Sequence, residues 1–452
     1  MGGGERRTGP GQHAPAQGAG RHPAGGRAGP AWLAVPRPRI VKELMSRVVI
    51  VGGGGTGDAT AFALRKRGFD GEIVILSADH DRPYDRPYLS KEFLRGEVDV
   101  PKVFLHDEAD YANERIELRL EQRVTGGSLR DRRLTMSGSD AVGFDVLVLG
   151  LGGTPRRLPQ MPSAENVRTL RSLHDSHELR AALRRSSRLL LIGAGFIGAE
   201  VAASARQLGK DVLIVEALPV PLQRALGGDV GAAYAQIHRS HGVDLRTGTS
   251  VQEWHTNAGQ VVAVTLSDGT REEVDLVLVA IGIDPNLELP QALGLPIAGG
   301  GVQVNQALGA AQDVYVGGDI AYHDHPVLAR SVRVEHWEVA KGQGRGIAAS
   351  IAGGDTPYTK LPYFWSDQYD ISLEYRGHAS GDDRAVWRGD RDALKFSVFY
   401  LRDSVVEAVL SLNDAKTNEA GGKLIEGRRR VSAAALEDPA IEISELLGAA
   451  AS

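Results

Sequence analysis

The strongest constraint on the fold of this chain is a glycine-rich turn, G-x-G-x-x-G, that occurs twice. In the first copy the apolar run 48–51 precedes Gly52, Gly54 and Gly57, after which a helical segment and a second apolar strand lead to Asp79. Glycines at this spacing permit a tight turn, close approach to a pyrophosphate and close helix–strand packing. The N-terminus of the helix would bind the diphosphate, and Asp79 would bind a ribose. The segment therefore predicts a βαβ unit that binds a dinucleotide.

The second copy of the turn lies in the middle of the chain. The apolar run 189–192 leads into Gly193, Gly195 and Gly198, and the next apolar strand ends at Glu216. A single copy would be weak evidence, because such turns also occur as ordinary structural features. Two complete copies, each with strand, helix and acid, predict two dinucleotides held by two Rossmann-type domains.

Composition narrows the chemistry. The 452 residues include no cysteine, which excludes disulfides, a cysteine nucleophile, a redox-active dithiol and a protein-held iron–sulfur cluster. Any redox chemistry therefore needs a bound organic cofactor. The net charge of −5 does not indicate nucleic acid binding, and no apolar run approaches the roughly 20 residues that span a bilayer. We therefore expect a cytoplasmic protein without nucleic acid or membrane partners.

The remaining segments differ in pattern. Residues 1–44 are rich in Gly, Pro, Ala and Arg without hydrophobic periodicity, which predicts a disordered leader and makes Met45 a candidate start. Apolar or alternating runs predict further strands at 116–124, 144–149, 275–280 and 313–316. Beyond Pro362, alternating strands such as 395–401 and 405–412 predict a separate α+β domain.

The motifs of this chain, taken in order, resemble those of the FAD-dependent ferredoxin reductases of oxygenase and cytochrome P450 systems, together with related apoptosis-inducing-factor-like oxidoreductases. The resemblance runs from about residue 47 to about residue 447. The segments that carry it are Gly52 to Gly57, Arg86 to Lys91, Gly193 to Glu200, Ala280 to Gly282, Gly317 to Asp319, Glu335 to Trp337 and Phe364 to Tyr369.

The resemblance implies an α/β fold in which an FAD domain is interrupted by an NAD domain and followed by a C-terminal α+β interface domain. We expect the leader at 1–45, the FAD-binding domain at 46–155 and 283–360, the NAD-binding domain at 156–282 and the C-terminal reductase domain at 361–452. Oligomeric state is left open between monomer and homodimer.

The resemblance also implies roles for individual residues. The expected contacts to FAD come from Gly52, Gly54, Thr56, Gly57, Asp79, Arg86, Lys91, Val124, Arg171, Asp319 and Trp337. The expected contacts to NADH come from Gly193, Gly195, Gly198, Glu216 and Gly282. Trp337 begins a helix directed at the flavin, where the positive helix end would stabilise the reduced ring.

Lys91 and Glu200 are the candidate catalytic residues. Most lysine–glutamate pairs are surface contacts of little consequence, but the position of both in family motifs favours a pair beside the reacting atoms. The role of Phe196 is left open between core packing and a ring that covers the flavin. The role of Trp365 is left open between core packing and contact with a redox partner. His323 and His325 are expected in a surface loop, without a metal site, because no further ligands accompany them.

The implied function is transfer of hydride from NADH to FAD and of single electrons to a small acidic [2Fe–2S] ferredoxin. Glu216 predicts a preference for NADH over NADPH, since its carboxylate would repel the 2′-phosphate of NADPH. Cations expected to steer the partner are Arg330, Arg333, Lys341 and Arg345, with Arg428 to Arg430 as an extension. The alternatives are an apoptosis-inducing-factor-like or monodehydroascorbate-type NADH oxidoreductase and a redox-sensing flavoprotein that responds to NADH.

Overall fold

The computed structural model describes residues 46–138, 140–354 and 356–448. The expected leader at 1–45, including Met45, lies outside the described residues. Within the described ranges, no helix is long and apolar enough to cross a membrane.

The first sheet combines strands from before and after the middle of the chain. Its order is β20-β21-β7-β1-β2-β3. The strands are β1 (Arg47–Val51), β2 (Glu72–Leu76), β3 (Ile116–Arg119), β7 (Val146–Leu149), β20 (Gly309–Ala311) and β21 (Val314–Val316). Central β1 runs parallel to β2 and β7, and Val48, Val49 and Ile50 are fully buried, as the continuous apolar run requires.

The second sheet is formed entirely by residues between 167 and 279. Its order is β12-β11-β10-β16-β9. The strands are β9 (Val167–Arg168), β10 (Arg188–Ile192), β11 (Asp211–Glu216), β12 (Asp244–Thr247) and β16 (Leu276–Val279). β10 lies parallel to β11 and β16, as β1 does to its neighbours in the first sheet. The chain therefore leaves the first sheet, builds the second and returns.

Smaller sheets surround these two. The strands are β4 (Val124–Ser128), β5 (Arg133–Met136), β6 (Val142–Gly143), β8 (Gly153–Pro155), β13 (Val251–Asn257), β14 (Gln260–Leu266), β15 (Arg271–Glu273), β17 (Ile283–Pro285), β18 (Ile297–Ala298), β19 (Gly301–Val304), β22 (Ala321–His325) and β23 (Arg330–Val332). β8 and β17 pair antiparallel, so the outgoing and returning crossings of the chain are hydrogen-bonded to each other.

The C-terminal domain is an antiparallel sheet of order β24-β25-β28-β27-β26. Its strands are β24 (Tyr363–Gln368), β25 (Ile371–Gly377), β26 (Arg384–Asp390), β27 (Lys395–Arg402) and β28 (Val405–Leu412). β24 alternates in exposure, with Phe364, Ser366 and Gln368 buried on one face. This face packs toward the second dinucleotide unit.

The helices are α1 (Gly55–Lys66), α2 (Glu92–Arg95), α3 (Val100–Val103), α4 (Glu108–Asn113), α5 (Leu173–Arg185), α6 (Phe196–Gln207), α7 (Gln223–Leu226), α8 (Gly228–Ser240), α9 (Glu288–Ala292), α10 (Trp337–Gly353), α11 (Ala415–Glu426) and α12 (Ala433–Glu437). Short 3₁₀ turns lie at Arg86–Ser90, Gly318–Ile320 and Glu445–Leu447. Long α10 packs along α1, where glycines allow close approach: a Cβ on Gly344 would lie 2.4 Å from the Thr56 carbonyl oxygen.

The predicted fold class is confirmed by these sheets, and two local predictions are wrong. The run 116–124 is not one strand: β3 ends at Arg119, Glu121 adopts a φ of 56°, and β4 belongs to another sheet. His323 and His325 do not lie in a surface loop. Both are buried in β22, 0% and 1% exposed, beside Tyr358.

The buried imidazole of His323 makes the stability of the protein depend on pH. Burial lowers the pKa of His323 to about 4, below its ordinary value near 6.5. The stabilising contribution of the neutral ring is complete above pH 6.5 and is lost as pH falls toward 4. At pH 5 the loss relative to pH 8 is about 2 kcal/mol. We expect His323→Asn to be less stable than the parent at pH 8 and to show a shallower decline between pH 8 and 5, measured by thermal unfolding.

The matched control is His177→Asn, because His177 is exposed on α5. This variant should follow the parent at both pH values. An unchanged decline in the His323 variant would mean that other groups cause the acid sensitivity.

Candidate functional site

One large cavity, of about 1180 Å³, contains both glycine-rich turns. The first turn contributes 51–56 and the second 195–197, and a third wall comes from the C-terminal domain through Phe364 and Trp365. Because the carboxyl ends of β1 and β10 open onto the same space, two dinucleotides bound at the turns would meet in it.

The glycines of the first turn have different structural duties. Gly52 adopts a φ of 115° and donates its N–H to the Leu76 carbonyl at 2.8 Å. A Cβ on Gly57 would lie 2.0 Å from the Gly52 carbonyl oxygen, so Gly57 is required for helix–strand packing. A Cβ on Gly54 would meet nothing within 4 Å. Gly54 therefore faces the open space that a diphosphate would use.

Thr56 and Trp337 fix α1 against the start of α10. The Thr56 hydroxyl is buried and donates to the Ala340 carbonyl at 3.1 Å, so its side chain joins the two helices and leaves its backbone N–H for a ligand. Trp337 packs against Gly55. The Trp337 indole N–H is buried without a hydrogen-bond partner among the described residues, although Trp337 lines the cavity. This orphaned donor fits a ligand that brings its own acceptor.

Positive charge is concentrated on the other side of the first turn. The Arg86 guanidinium donates to the Arg171 carbonyl at 2.9 Å, and Arg171 pairs with Asp319 at 2.7 Å. Burial and the neighbouring Arg171 lower the pKa of Arg86, although an arginine stays charged. Asp79, at the end of β2, accepts from the Tyr84 hydroxyl at 2.8 Å. These side chains form a polar wall suited to phosphates and hydroxyls.

Lys91 and Glu200 form a buried ion pair. Lys91 Nζ lies 3.0 Å from Glu200 Oε2, and each side chain is 7% exposed. The Ser90 hydroxyl donates to the same oxygen at 2.5 Å, and the Ser366 hydroxyl donates to Oε1 at 2.7 Å. The pair is therefore not a surface contact of small effect. It joins the first dinucleotide domain, the second and the C-terminal domain at one carboxylate.

The second turn repeats the geometry of the first. Gly193 has a φ of 98°, a Cβ on Gly198 would lie 2.1 Å from the Gly193 carbonyl oxygen, and Gly195 faces open space. The Glu216 carboxylate accepts the N–H of Ala194 at 2.6 Å and that of Leu218 at 2.8 Å. It therefore stabilises the turn itself.

An aromatic wall separates the two turns from the C-terminal domain. Phe196 lies edge-on to Phe364 at 5.0 Å, and His336 stacks on Phe364 at 4.0 Å. All three line the cavity, as Trp365 does. Burial lowers the pKa of His336 to about 4, so this imidazole is neutral at pH 7. Phe196 packs in this wall and also borders the cavity, whereas a ring that covers the flavin stays a prediction.

Most predicted site residues converge on the cavity. Those that line it are Gly52, Gly54, Thr56, Asp79, Arg86, Lys91, Val124, Arg171, Gly195, Glu200, Gly282, Asp319 and Trp337. Those that do not are Gly57, Gly193, Gly198 and Glu216, which shape the turns behind it. Sequence reasoning did not identify Ile197, Arg224, His336, Phe364, Ser366 or His378. The alternation of Phe364, Ser366 and Gln368 was the available signal for Ser366.

Three of the four cations expected near α10 are ion-paired, and their role in steering a partner stays a prediction. Each is paired with a carboxylate: Arg330 with Glu407 at 3.9 Å, Arg333 with Glu335, and Lys341 with Glu338 at 2.7 Å. Arg333 also lines the cavity, where it donates to the Asp319 carbonyl. Arg345 is exposed and has no ion-pair partner among the described residues. In the predicted extension, Arg428 pairs with Glu407 at 2.9 Å, whereas Arg429 and Arg430 are exposed.

The described residues also bear on metal binding. Among them, no group of three or more His, Cys, Asp or Glu residues is arranged to hold a metal ion. His323 and His325 use their Nε2 atoms on the carbonyls of Gln306 and Lys360.

Comparisons with known proteins give consistent matches along the chain. Residues 46–344 match the family model described as pyridine nucleotide-disulphide oxidoreductase, and residues 363–447 match the model described as reductase C-terminal. Putidaredoxin reductase of Pseudomonas putida is 36% identical over 410 residues, which cover 89% of this chain and 97% of that protein. The anthranilate 1,2-dioxygenase system ferredoxin–NAD(+) reductase component of Burkholderia cepacia is 36% identical over 394 residues, covering 86% and 95%.

Solved structures agree with these relatives. The covalent putidaredoxin reductase–putidaredoxin complex contains a chain with a TM-score of 0.87 and 35% identity, covering 90% of this chain and 99% of that one. The ferredoxin reductase for the CYP199A2 system from Rhodopseudomonas palustris gives a TM-score of 0.84 and 31% identity, covering 88% and 99%.

The glycine geometry of the first turn yields a test. We expect Gly57→Ala to destabilise the protein by about 1–3 kcal/mol, because its methyl group would collide with the Gly52 carbonyl oxygen. Gly54→Ala is the matched control, with a change within about 0.5 kcal/mol, since its methyl group enters open space. Gly54→Ala should instead lower the amount of bound dinucleotide. Thermal unfolding measures the change in stability, and the amount of dinucleotide released by heat measures binding. Equal destabilisation by both substitutions would contradict the roles given to Gly57 and Gly54.

Proposed function

The chain belongs to the pyridine nucleotide-disulphide oxidoreductase family, and from that premise we propose that it is the NADH-dependent reductase that supplies electrons to a ferredoxin of an oxygenase or cytochrome P450 system. It is an oxidoreductase that uses FAD and NADH. The observation that carries the proposal is the single cavity onto which both dinucleotide turns open, closed by aromatic side chains of the C-terminal domain.

The residues of the first turn fit FAD. Gly54 leaves room for the diphosphate, Asp79 offers a carboxylate to the ribose, and Arg86 and Arg171 add positive charge. The unpaired indole N–H of Trp337 offers a donor. When bound, FAD can accept a hydride and release electrons one at a time. The start of α10 would stabilise negative charge placed beside it.

The second turn would hold NADH so that its nicotinamide reaches the same space. Glu216 would bind the adenosine ribose while keeping its turn contacts, and Gly282 borders the cavity opposite Gly195. We propose that Lys91 and Glu200 position the reacting groups, because their ion pair lines the cavity onto which both turns open. Orientation accounts for much of the catalysis in this chemistry.

Several other parts of the proposal come from the sequence. The domain boundaries are 46–155 with 283–360, 156–282 and 361–452, and we place the protein in the cytoplasm as a monomer or homodimer. The relatives do not favour the apoptosis-inducing-factor-like, monodehydroascorbate-type or redox-sensing alternatives. Faster turnover with a [2Fe–2S] ferredoxin than with quinone or ascorbyl radical would support the proposed acceptor, whereas the reverse order would contradict it.

We propose that the acceptor is a small acidic [2Fe–2S] ferredoxin. Without cysteine in the chain, electrons leave by direct transfer across the surface near the flavin. Trp365 lies at the cavity wall of the C-terminal domain and is a candidate contact. Arg345 on α10 is exposed without an ion-pair partner among the described residues, so it is the cation of this cluster that we expect to attract an acidic partner.

The preference for NADH tests the role of Glu216. We expect faster flavin reduction by NADH than by NADPH, because the Glu216 carboxylate would repel a 2′-phosphate. Glu216→Gln keeps an acceptor for the turn and removes the charge. In stopped-flow reduction, it should lower the ratio of the NADH rate to the NADPH rate by about tenfold, roughly 1.4 kcal/mol of transition-state free energy. The control is Glu253→Gln, an exposed residue of β13 in the same domain. Equal or faster reduction of the parent protein by NADPH would contradict this role.

Salt and charge reversal test the docking of the partner. We expect Arg345→Glu to raise the KM for an acidic ferredoxin by about threefold or more, with NADH-to-ferricyanide turnover unchanged. Ferredoxin-dependent cytochrome c reduction should fall as salt shortens the Debye length from about 30 Å at 0.01 M to about 10 Å at 0.1 M.

The matched control for docking is Arg185→Glu, an exposed arginine at the end of α5. It should leave the KM for ferredoxin unchanged. If both variants raise KM equally, the effect is one of net charge and the proposed surface is wrong.

A further inference from the structure

We propose that Ser366 of the C-terminal domain is a positioning residue for hydride transfer, acting through Glu200. The proposal rests on the proposed function, since it concerns the reduction of FAD by NADH. It assigns to the C-terminal domain a part in the reaction with NADH as well as in contact with the electron acceptor.

The hydrogen-bond direction at Ser366 is fixed. Gln368 Nε2 donates to the Ser366 hydroxyl oxygen at 3.1 Å, and the hydroxyl donates to Glu200 Oε1 at 2.7 Å. Ser366 and Gln368 are 0% and 1% exposed, so water does not compete for these bonds. Both side chains project from the same face of β24, where strand alternation places them two residues apart.

The two oxygens of Glu200 have different partners. Oε2 accepts from Lys91 and Ser90 of the first dinucleotide domain, whereas Oε1 accepts from Ser366 alone among the described residues. Without the Ser366 hydroxyl, Oε1 would be a buried acceptor without a partner, which is costly. The carboxylate would then turn to regain a donor, and this turn would move Lys91, its ion-pair partner at 3.0 Å.

The cavity relates this bond to the reaction. Glu200 and Lys91 line it together with Phe196 of the second turn and Trp365, the neighbour of Ser366. A small displacement of groups that orient reacting atoms slows a reaction strongly without weakening binding to the same extent. Loss of the Ser366 hydroxyl should therefore lower the rate of reduction at saturating NADH more than it changes the KM for NADH.

The decisive experiment compares Ser366→Thr with Ser366→Val in the FAD-loaded protein. The two side chains have the same shape, and only Thr keeps a hydroxyl. In stopped-flow reduction by NADH, we expect Ser366→Val to be slowed by about fivefold or more relative to Ser366→Thr, with equal FAD content. Equal rates for the two variants would overturn the proposal.

Two further measurements separate positioning from loss of structure. Ser411→Ala removes another buried hydroxyl of the same sheet, one that bonds Ser397 at 2.7 Å, and should leave the reduction rate unchanged. In a Glu200→Ala background, the difference between Thr and Val at 366 should vanish, because the group on which the hydroxyl acts is absent. A difference that persists there would also overturn the proposal.

The parent protein distinguishes this inference from the proposed function. Failure of NADH to reduce the parent flavoprotein would defeat the proposed function. Normal reduction of the parent with equal rates for the Thr and Val variants would defeat the role of Ser366 alone.

Discussion

The buried carboxylate of Glu200 is the interaction on which the arrangement of the three domains depends. A charge that is 7% exposed is costly unless it is paired and hydrogen-bonded. The carboxylate and its partners come from three parts of the chain: Lys91 and Ser90 precede β3, Glu200 lies on α6, and Ser366 lies on β24. The cost is offset only when all three parts are docked. The ion pair and hydrogen bonds of this one carboxylate therefore define their relative position.

A second constraint acts on the first dinucleotide domain, where α1 and α10 approach closely. The contact is made by glycines and by the Thr56 hydroxyl, which donates to the Ala340 carbonyl. Because α10 begins at Trp337 beside the cavity, this packing sets the place of its positive end. Residues almost three hundred positions apart in sequence are therefore joined at one wall of the cavity.

The sequence predicted whatever depends on local pattern. The glycine turns, their flanking strands and the acids at strand ends follow from spacing, since a Cβ at Gly57 or Gly198 would collide with a backbone carbonyl oxygen. Long-range pairing was not predictable in this way. His323 was expected in a surface loop because no further metal ligands accompany it, yet β22 buries it beside Tyr358. Lys341, expected among the cations that steer a partner, is paired with Glu338 one helical turn away.

The C-terminal domain is connected to both halves of the proposed reaction by the alternation of one strand. In β24, Trp365 is half-buried and borders the cavity, whereas Ser366 is fully buried and reaches Glu200. Neighbouring residues of a strand point to opposite faces. One face of β24 therefore contacts Glu200 of the proposed Lys91–Glu200 pair, while the other face is available to a partner protein. Because Trp365 and Ser366 are joined by a single peptide unit, the side chain that borders the cavity and the hydroxyl that bonds Glu200 are fixed relative to each other by the backbone of β24.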